Sequence, residues 1–419
     1  MSSHAGSQTA SKTPFKAWII LSIIVIPYVM SMFIRAAPSV ISLDLAKDFA
    51  VEVPELAVIS AATMVAYGII QIPAGLLADS FGGKNTIVLF LVGLGCANIW
   101  FGMAETLGSA AAARFAVGLS AASFVPAMTI VAHWFTAGNF AKANSVMLLG
   151  GNLGTLLASA PLVFLCGIWG WRGVMCGFGI LCFVLAGVTF FYVKNAPASF
   201  VHPGEKTRKP SLLAGLKTVA VSGKFWPLCI SFCCLIGVFF SLTTLWMGPF
   251  LMHGCGMSRE ETGGILFAFS LVAFVAIPLL AAVSDKIRSR RKVLVGSLGA
   301  AVLAMLMIAF AAGKVPVWVL LGLYFVFVFA VGCSSLFFTA AKEMFPVEMY
   351  GTVVGCLNMF PYFCTALLQK LFAVVLAWRL EACGGNTAAA YGQTFWLNVL
   401  LVLMAFVAAL KLKETYPQR

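Results

Sequence analysis

Two related stretches stand at corresponding places in this sequence: Gly75-Leu-Leu-Ala-Asp79-Ser-Phe-Gly-Gly-Lys84 and Ala281-Ala-Val-Ser-Asp285-Lys-Ile-Arg-Ser-Arg290-Arg291-Lys292. Each follows a long apolar run, carries an aspartate after small or apolar residues, and ends in basic residues. The two aspartates are separated by about half of the 419-residue chain. A repeat at this spacing indicates a protein built from two similar halves.

The composition places both halves in a lipid bilayer. Hydrophobic residues make up 61% of the chain and charged residues only 10%, whereas a soluble domain carries about 25% charged residues. A membrane-spanning helix needs about 20 apolar residues, so a chain of 419 residues has room for about twelve spans joined by short loops. A large additional soluble domain is excluded.

The apolar runs fall into two groups of six. The candidate spans are 17–42, 55–78, 86–103, 107–135, 144–168, 173–193, 225–252, 262–283, 293–312, 315–338, 351–378 and 391–410. The stretch between the groups is polar and holds three prolines, which predicts a linker. We therefore predict an N-terminal tail (1–16), a six-helix bundle (17–193), a linker (194–224), a second six-helix bundle (225–410) and a C-terminal tail (411–419).

The net charge of +13 would suggest a nucleic-acid partner if the protein were soluble. Most Lys and Arg residues, however, fall in the tails, the linker and the loops on one face, as the positive-inside rule requires of cytoplasmic segments. The first residues also lack the pattern of a signal peptide. We therefore expect a multi-pass protein of the cell (inner or plasma) membrane with both termini in the cytoplasm, surrounded by lipid and binding no nucleic acid.

The duplicated loop resembles the signature of the major facilitator superfamily, G-x-L-x-D-R-x-G-R-K between the second and third helices, with a weaker copy between the eighth and ninth. Further matches to the family are Arg114-x-x-x-Gly118, Gly150-Gly-Asn-Leu-Gly154, Gly170-Trp-Arg172 and Trp246-Met-Gly-Pro249. The resemblance covers essentially the whole chain. It implies an all-α polytopic membrane fold, with twelve transmembrane helices in two pseudo-symmetric six-helix bundles, and secondary active transport by alternating access.

The residue types of the duplicated loop suit a conformational gate. Gly75 permits close helix contact, and the Asp79 carboxylate can meet the N-terminal dipole of a neighbouring helix or a basic residue of the other half. The alternative is that Asp79 and Lys84 only bound a tight turn. Ser80 and Gly83 replace the basic residues usual in the family, so we expect a weaker lock. The predicted gating residues are Gly75, Asp79, Lys84, Asp285, Arg290 and Arg291.

Three cations, Arg35, Arg114 and Lys370, lie within predicted spans, whereas all 14 acidic residues fall in loops or at span ends. A charge inside the bilayer costs at least about 2.5 kcal/mol unless it faces water or a partner. These cations therefore predict a small anionic solute, held by a carboxylate, sulfonate or phosphate group.

Each of the three cations also has an alternative interpretation. Arg114 occupies a position that is basic across much of the superfamily, and Lys370 is close enough to a span end for its ammonium to reach the headgroups. The setting of Arg35, Phe33-Ile-Arg35-Ala-Ala-Pro38, resembles family branches that carry organic anions, in which an arginine of the first helix contacts the substrate.

Polar and aromatic residues in the spans could complete a binding site. Helix packing or interhelical hydrogen bonding is the alternative role for each, because buried polar groups in lipid need partners. The candidates are Tyr28, Tyr67, Gln71, Asn152, Trp246, Tyr324, Asn358 and Tyr362.

The mode of energy coupling stays open. Proton relays usually use carboxylates or histidines within spans, and no carboxylate lies in the interior of a predicted span here. Anion exchange and cation symport, with protons or another cation, therefore both remain. Asp44, the acidic group nearest to Arg35 along its helix, is the candidate coupling residue. The competing functions are import of a zwitterion such as an amino acid, efflux of a siderophore or drug, and a transporter-like sensor.

An enzyme is not expected, because the spans lack a nucleophile or metal-ligand cluster and no phosphate-binding loop is present. We expect a monomer without cofactor or metal.

Overall fold

The computed structural model describes residues 15–51, 56–158, 160–197, 212–384 and 386–416. Nearly all of the predicted N-terminal tail, residues 198–211 of the predicted linker and the last three residues lie outside these ranges. The described residues are overwhelmingly helical and contain no strand. The predicted fold class, all-α and polytopic, is confirmed.

The first half of the chain contains eight helices in its described residues. The helices are α1 (Phe15–Val40), α2 (Ser42–Phe49), α3 (Ala57–Phe81), α4 (Gly83–Gly102), α5 (Leu107–Ser120), α6 (Phe124–Trp134), α7 (Ala137–Leu157) and α8 (Ala160–Tyr192). The predicted fourth span is interrupted between α5 and α6. Within α8, Gly170 has a φ of 68°, a conformation that glycine adopts without steric cost, and this residue divides the predicted fifth and sixth spans.

The remaining helices begin at the end of the linker. They are α9 (Leu212–Val221), α10 (Phe225–Ser241), α11 (Met247–Pro249), α12 (Arg259–Lys286), α13 (Arg290–Ala311), α14 (Val317–Val331), α15 (Ser334–Met344), α16 (Tyr350–Ala382), α17 (Thr387–Thr394) and α18 (Trp396–Leu410). Two π-helical turns, Leu242–Trp246 and Phe250–Gly254, flank α11. Such turns are frequent at functional sites.

Eleven helical runs among the described residues are long and apolar enough to cross a membrane. One of them, Pro161–Tyr192, includes the break at Gly170 and so contains parts of two predicted spans. Several helices are longer than their apolar runs. Lys142 therefore lies within α7 and Lys342 within α15, although the apolar pattern placed both residues in loops.

Helices of each half pack mainly with one another, and the main pairings among the described residues that join the halves are α3 with α16, α7 with α12, α7 with α15, and α6 with α16. The α3–α16 contact is close because glycines face it. A Cβ atom on Gly75 would lie 2.2 Å from the Gly351 carbonyl oxygen, and one on Gly355 would lie 2.4 Å from the Gln71 carbonyl oxygen. This antiparallel pair carries polar residues of both halves to one place.

Candidate functional site

Arg35 lies near the end of α1 with its side chain half-buried. Its guanidinium carbon is 3.6 Å from the centroid of the Tyr67 ring and 5.7 Å from that of Tyr362. The terminal nitrogens contact the sulfur atoms of Met32 and Met64 at 3.7 and 3.9 Å. Thioether sulfur is a weak acceptor. The Tyr362 hydroxyl is a further hydrogen-bond partner of the Arg35 side chain, whereas the buried Nε atom has none. Arg35 thus retains free donor capacity.

Aromatic rings from both halves form the surface on which Arg35 lies. Tyr67 of α3 meets Tyr362 of α16 edge to face, with ring centroids 5.0 Å apart. Tyr362 in turn stacks on Phe240 of α10 at 5.9 Å. A guanidinium above such rings is attracted by their negative faces, most strongly where water is excluded. Helices α1, α3 and α16 therefore meet at this cation, and α10 supports the Tyr362 ring.

A layer of amides lies one helical turn from the tyrosines. Asn358 donates through Nδ2 to the Gln71 Oε1 atom at 3.0 Å, which joins α16 to α3. The Gln71 Nε2 atom is buried and has no partner. We refer to Arg35, Tyr67, Gln71, Asn358 and Tyr362 as the Arg35 site. Its two unpartnered groups, on Arg35 and Gln71, are both N–H donors, which suits a ligand rich in acceptor oxygens.

Arg114 is completely buried in α5, and its hydrogen bonds go to protein groups. It donates to the carbonyl oxygens of Ile34 and Arg35 at 2.8 and 3.3 Å and to the Thr63 hydroxyl at 3.2 Å. The Phe101 ring lies 5.3 Å from the guanidinium. Arg114 therefore contacts the backbone of α1 at Arg35 and fixes it against α3, while its own side chain is occupied.

Two predicted site residues lie within aromatic packing of the second half. Tyr324 is buried with its ring 4.5 Å from that of Phe269, and its hydroxyl has no partner. Trp246, at the first π-helical turn, stacks on Phe372 at 4.8 Å, and its Nε1 atom is buried without a partner. Neither residue makes a described ring or hydrogen-bond contact with the Arg35 site.

Tyr28 lies close to the Arg35 site, because its hydroxyl interacts electrostatically with Arg35, Tyr67 and Tyr362. It is buried against α7, where a Cβ on Gly151 would lie 2.5 Å from its ring. Its position two turns before Arg35 places both residues on one face of α1.

The structure separates three further candidates from the Arg35 site. Asn152 and Lys370 are exposed, and Lys370 is two turns beyond Tyr362 on α16. Asp44 is exposed on α2, outside the helix that carries Arg35.

Asp79 joins the two halves at the end of α3. Its Oδ1 atom accepts from the Gly351 N–H at 2.8 Å, and its Oδ2 atom accepts from the N–H and the hydroxyl of Thr352 at 2.7 and 2.6 Å. These donors form the first turn of α16. The carboxylate satisfies N–H groups that a helix start leaves free and meets the positive end of the helix dipole. We call this side of the molecule the Asp79 end.

The structure explains one of the two departures of this loop from the family signature, the glycine at position 83. A Cβ on Gly83 would lie 2.4 Å from the Pro126 carbonyl oxygen and 2.6 Å from the Thr129 hydroxyl oxygen. A basic side chain therefore does not fit there without moving α4 away from α6. Lys84 makes its described contacts with α8 and the start of the linker. Its backbone N–H donates to the Asn195 side chain, and its ammonium lies 4.6 Å from the Phe190 ring centroid.

Lys342 provides a second link at the Asp79 end. Its ammonium donates to the Phe135 carbonyl oxygen, beyond the end of α6, and lies 4.3 Å from the Phe140 ring centroid. Asn144 of α7 donates to the Ser335 carbonyl oxygen of α15 at 2.6 Å in the same region. A cation is favourable at the C-terminal end of a helix, so the two halves are joined by opposite charges at opposite helix ends.

The second copy of the loop has described ion pairs within its own half. Arg290 donates to Asp285 at 2.7 Å and to Glu343 at 3.4 Å. Arg291 donates to the Leu410 carbonyl oxygen at 3.0 Å. The two copies thus differ: the aspartate of the first reaches the other half, whereas that of the second pairs with the arginine beside it.

Sequence reasoning did not identify several residues of these contacts. Met64 and Phe240 were overlooked because an apolar side chain in a span looks the same in the sequence whether it faces lipid or packs at a binding site. Gly351 and Thr352 were overlooked because they bind Asp79 mainly through backbone N–H groups, which every residue except proline has. The position of Lys342 just beyond an apolar run was the available signal, but it was counted only as a loop charge.

Comparisons with known proteins give a consistent result. The sequence profile of the Major Facilitator Superfamily matches residues 21–368. The chain is 25% identical over 403 residues to the probable galactarate/D-glucarate transporter GudP of Escherichia coli (strain K12), covering 85% of this chain and 86% of that one. It is 24% identical over 184 residues to a probable hexose phosphate transport protein of Chlamydia trachomatis, covering 43% and 40% of the two chains.

A solved structure is similar over nearly the whole chain. The proton:xylose symporter XylE, bound to 6-bromo-6-deoxy-D-glucose, has a TM-score of 0.72 at 14% sequence identity, covering 95% of this chain and 96% of that one. At this identity the likeness concerns the fold alone, and it agrees with the predicted arrangement of two six-helix bundles.

Proposed function

Because this chain belongs to the Major Facilitator Superfamily, we propose that the solute it carries is a small organic anion, taken across the membrane by alternating access. The protein is a multi-pass membrane transporter and not an enzyme. Relatives named as transporters of galactarate or D-glucarate and of hexose phosphate support an anionic solute. The proposal covers solutes with a carboxylate, sulfonate or phosphate group, and sugar acids and sugar phosphates are the first to test.

The main observation in support of the proposal is the environment of the Arg35 guanidinium. This guanidinium lies inside the membrane region on the tyrosines of both halves, and the described residues give it no carboxylate partner within ion-pair distance. A guanidinium binds carboxylate and phosphate groups through two parallel N–H donors. An anion would therefore complete the site, whereas a cation would be repelled by it.

Binding at this place would be coupled to the movement of the halves. A ligand held by Arg35 and Gln71 of the first half and by Asn358 or Tyr362 of the second would contact α16 as well as α1 and α3. Any ligand changes a conformational equilibrium only through its different affinity for the two states. A site that shares its residues between the halves provides such a difference when the bundles rock.

The expected orientation of the chain in the membrane predicts the side from which the solute enters. With the Asp79 end in the cytoplasm, as the basic loops indicate, the contacts of Asp79 and Lys342 close the inner side and the solute enters from outside. The driving force would be symport of a cation, such as a proton, or exchange for another anion. Uptake measured with and without a pH gradient, and with a second anion inside the vesicles, distinguishes these routes.

The test is uptake by the purified protein in proteoliposomes. The panel contains D-glucarate, glucose 6-phosphate, an amino acid, a neutral sugar and a cationic amine. We expect saturable uptake of an anion and no uptake of the amine. Arg35→Ala should weaken the apparent affinity for the anion about tenfold or more, because a hydrogen bond to a charged group contributes about 1.5–3 kcal/mol.

A matched arginine provides the control. Arg379→Ala removes an arginine from α16 whose guanidinium stacks on Trp378 at 4.3 Å, away from the Arg35 site, and should leave the affinity for the anion unchanged. Wild-type affinity in Arg35→Ala would show that the anion is bound elsewhere. Preferential uptake of the amino acid would favour the zwitterion alternative.

A further inference from the structure

A surface cavity of about 570 Å³ lies at the Asp79 end, far along the chain from the Arg35 site. The end of α12, the start of α13 and the segment after α18 form its walls. The cavity is lined by Ile287, Arg288, Ser289, Arg291, Lys292, Leu412, Lys413 and Glu414. Four of these eight residues are cations, and one is an acid.

The acid is already engaged by neighbouring groups. Glu414 accepts hydrogen bonds from the Ser289 hydroxyl and from the backbone N–H groups of Arg290, Thr415 and Tyr416. It therefore caps α13 and fastens the C-terminal segment to that helix. The charge of this carboxylate is directed at the helix start, so it does not neutralise the cations around it.

Three of the cations have no acidic partner among the residues that the structure describes. Arg288, Lys292 and Lys413 are exposed, and none of them takes part in a described ion pair. Arg291, the fourth, donates to the Leu410 carbonyl oxygen, a contact that leaves its positive charge uncompensated. The cavity is thus an anion-attracting recess at the end of two membrane helices.

Exposed apolar side chains also lie on α18, the helix that ends beside this recess. Ile287 lines the cavity and is 45% exposed. Along α18, the exposed residues Leu403, Val407 and Leu410 are spaced four and three positions apart and so share one face. A ligand with a charged head and apolar chains would match both surfaces. A soluble phosphate would use only the first.

We propose that this recess binds the phosphate headgroup of an anionic phospholipid, with the acyl chains lying along the exposed face of α18. Arg288, Lys292 and Lys413 contact the phosphate, and Ile287 marks the change from headgroup to chain. Basic pockets at the cytoplasmic ends of membrane helices are suited to such headgroups. The bound lipid would join the α12–α13 loop to the segment after α18.

Native mass spectrometry of the full chain measures this binding directly. The protein is released from nanodiscs of phosphatidylcholine with or without phosphatidylglycerol, and retained lipids are counted. We expect one phosphatidylglycerol molecule to be retained in preference to phosphatidylcholine. Each cation near a lipid surface contributes roughly fivefold in affinity, so Arg288→Gln/Lys292→Gln/Lys413→Gln should weaken retention about a hundredfold.

The control removes three cations from the same end. Lys142→Gln/Lys217→Gln/Lys224→Gln changes the net charge equally but leaves the recess intact, and it should reduce retention by less than about threefold. Equal loss in the two triple variants would overturn the proposal. The midpoint of thermal unfolding in pure phosphatidylcholine shows whether each variant is folded.

Two soluble probes distinguish the lipid from free phosphate. Inorganic phosphate and glycerol 3-phosphate are added to the protein in phosphatidylcholine nanodiscs, and the unfolding midpoint is followed, because a ligand of the folded state raises it. We expect stabilisation by phosphatidylglycerol and none by the soluble probes at the same concentration. Equal stabilisation by a soluble phosphate would contradict a lipid site.

Discussion

At the scale of single residues, three charged side chains that form no described ion pair, Arg35, Asp79 and Glu414, differ in how they are stabilised. Arg35 lies on Tyr67 and Tyr362 without a carboxylate within ion-pair distance, whereas Asp79 and Glu414 are satisfied by the starts of helices. The surroundings of these charges explain the difference, because a charge in the membrane is unfavourable unless it has a partner. The N–H donors at a helix start stabilise a carboxylate there. The described partners of Arg35 are aromatic rings, thioether sulfur atoms and the Tyr362 hydroxyl, none of which carries a negative charge, so we expect an anion from solution to complete the site.

The pH dependence of stability provides a prediction for Glu414. Partial burial alone would raise the pKa of this carboxyl, but hydrogen bonds from Ser289, Tyr416, Arg290 and Thr415 outweigh it and lower the pKa. The unfolded value is about 4.3. A lowered folded-state pKa means that the stabilisation is fully present above the unfolded value and is lost as the pH falls through the folded value.

Glu414→Gln should therefore lower the free energy of unfolding by about 1 kcal/mol at pH 7, the usual effect of a lost helix cap. The difference between variant and wild type should shrink as the pH falls below about 4.3. Thermal unfolding of both proteins across this range measures the effect. A difference that is constant with pH would show that the Glu414 charge does not stabilise the fold.

The sequence indicated most clearly those residues of the Arg35 site whose types are rare in membrane spans. Arg35, Gln71 and Asn358 were predicted because polar groups are rare there. The structure joins Asn358 to Gln71 and places Arg35 on Tyr67, one helical turn from Gln71, and the role of all three in binding stays a prediction. The sequence could not predict that Tyr324 and Trp246 would pack within the second half, since ring-on-ring packing depends on how the helices are arranged in space. Their role in transport stays a prediction.

At the scale of elements, α3 and α16 form the principal contact between the halves. Glycines allow this contact, because a side chain at Gly75 or Gly355 would overlap with backbone atoms of the opposite helix. The apolar runs predicted the helices themselves, and Gly75 was predicted to permit close contact. The partner helix was not predicted, because an apolar pattern describes which face is buried but not which neighbour covers it. The π-helical turns next to α11 left no recognisable signal.

Gly75→Ala tests the closeness of this contact. The added methyl group would lie 2.2 Å from the Gly351 carbonyl oxygen, so the helices have to separate, at a typical cost of about 1–3 kcal/mol. We expect the equilibrium to move away from the conformation closed at the Asp79 end. Distances between spin labels on α3 and α16 report the change.

The matched control is Gly322→Ala in α14, where no atom lies within 4 Å of the added methyl group. This variant should leave the distance distribution unchanged. An unchanged distribution in Gly75→Ala as well would mean that the close α3–α16 contact is not what holds the closed state.

At the scale of the whole molecule, two reciprocal contacts close one end. Asp79 of the first half binds the start of α16, and Lys342 of the second half binds the Phe135 carbonyl oxygen beyond α6. The sequence predicted the type of the Asp79 contact, in which a carboxylate meets a helix dipole. It also predicted the duplicated architecture. It did not predict the Lys342 contact, because α15 extends beyond the apolar run that defined its span.

Removing these contacts should open the closed end in measurable steps. Asp79→Asn and Lys342→Gln should each shift the conformational equilibrium about fivefold, since a helix-end charge contributes about 1 kcal/mol. The contacts involve different helices, so the effects should add in the double variant. Accessibility of an introduced cysteine at the Asp79 end to a membrane-impermeant reagent measures the shift.

Glu105→Gln changes an exposed acid in the loop between α4 and α5 and should have no effect on this equilibrium. The Asp79→Asn variant should still bind the transported anion. Complete loss of anion binding in that variant would count against a gating role for Asp79.

Transport as proposed above requires Arg35 to hold the anion between the two halves. Equilibrium titration of the purified protein with the anion that the uptake panel identifies tests it most directly. We predict that Arg35→Gln raises the Kd about 10- to 100-fold and that Arg35→Lys recovers part of the affinity, because lysine keeps the charge but not the paired donors. An unchanged Kd in Arg35→Gln would contradict the account.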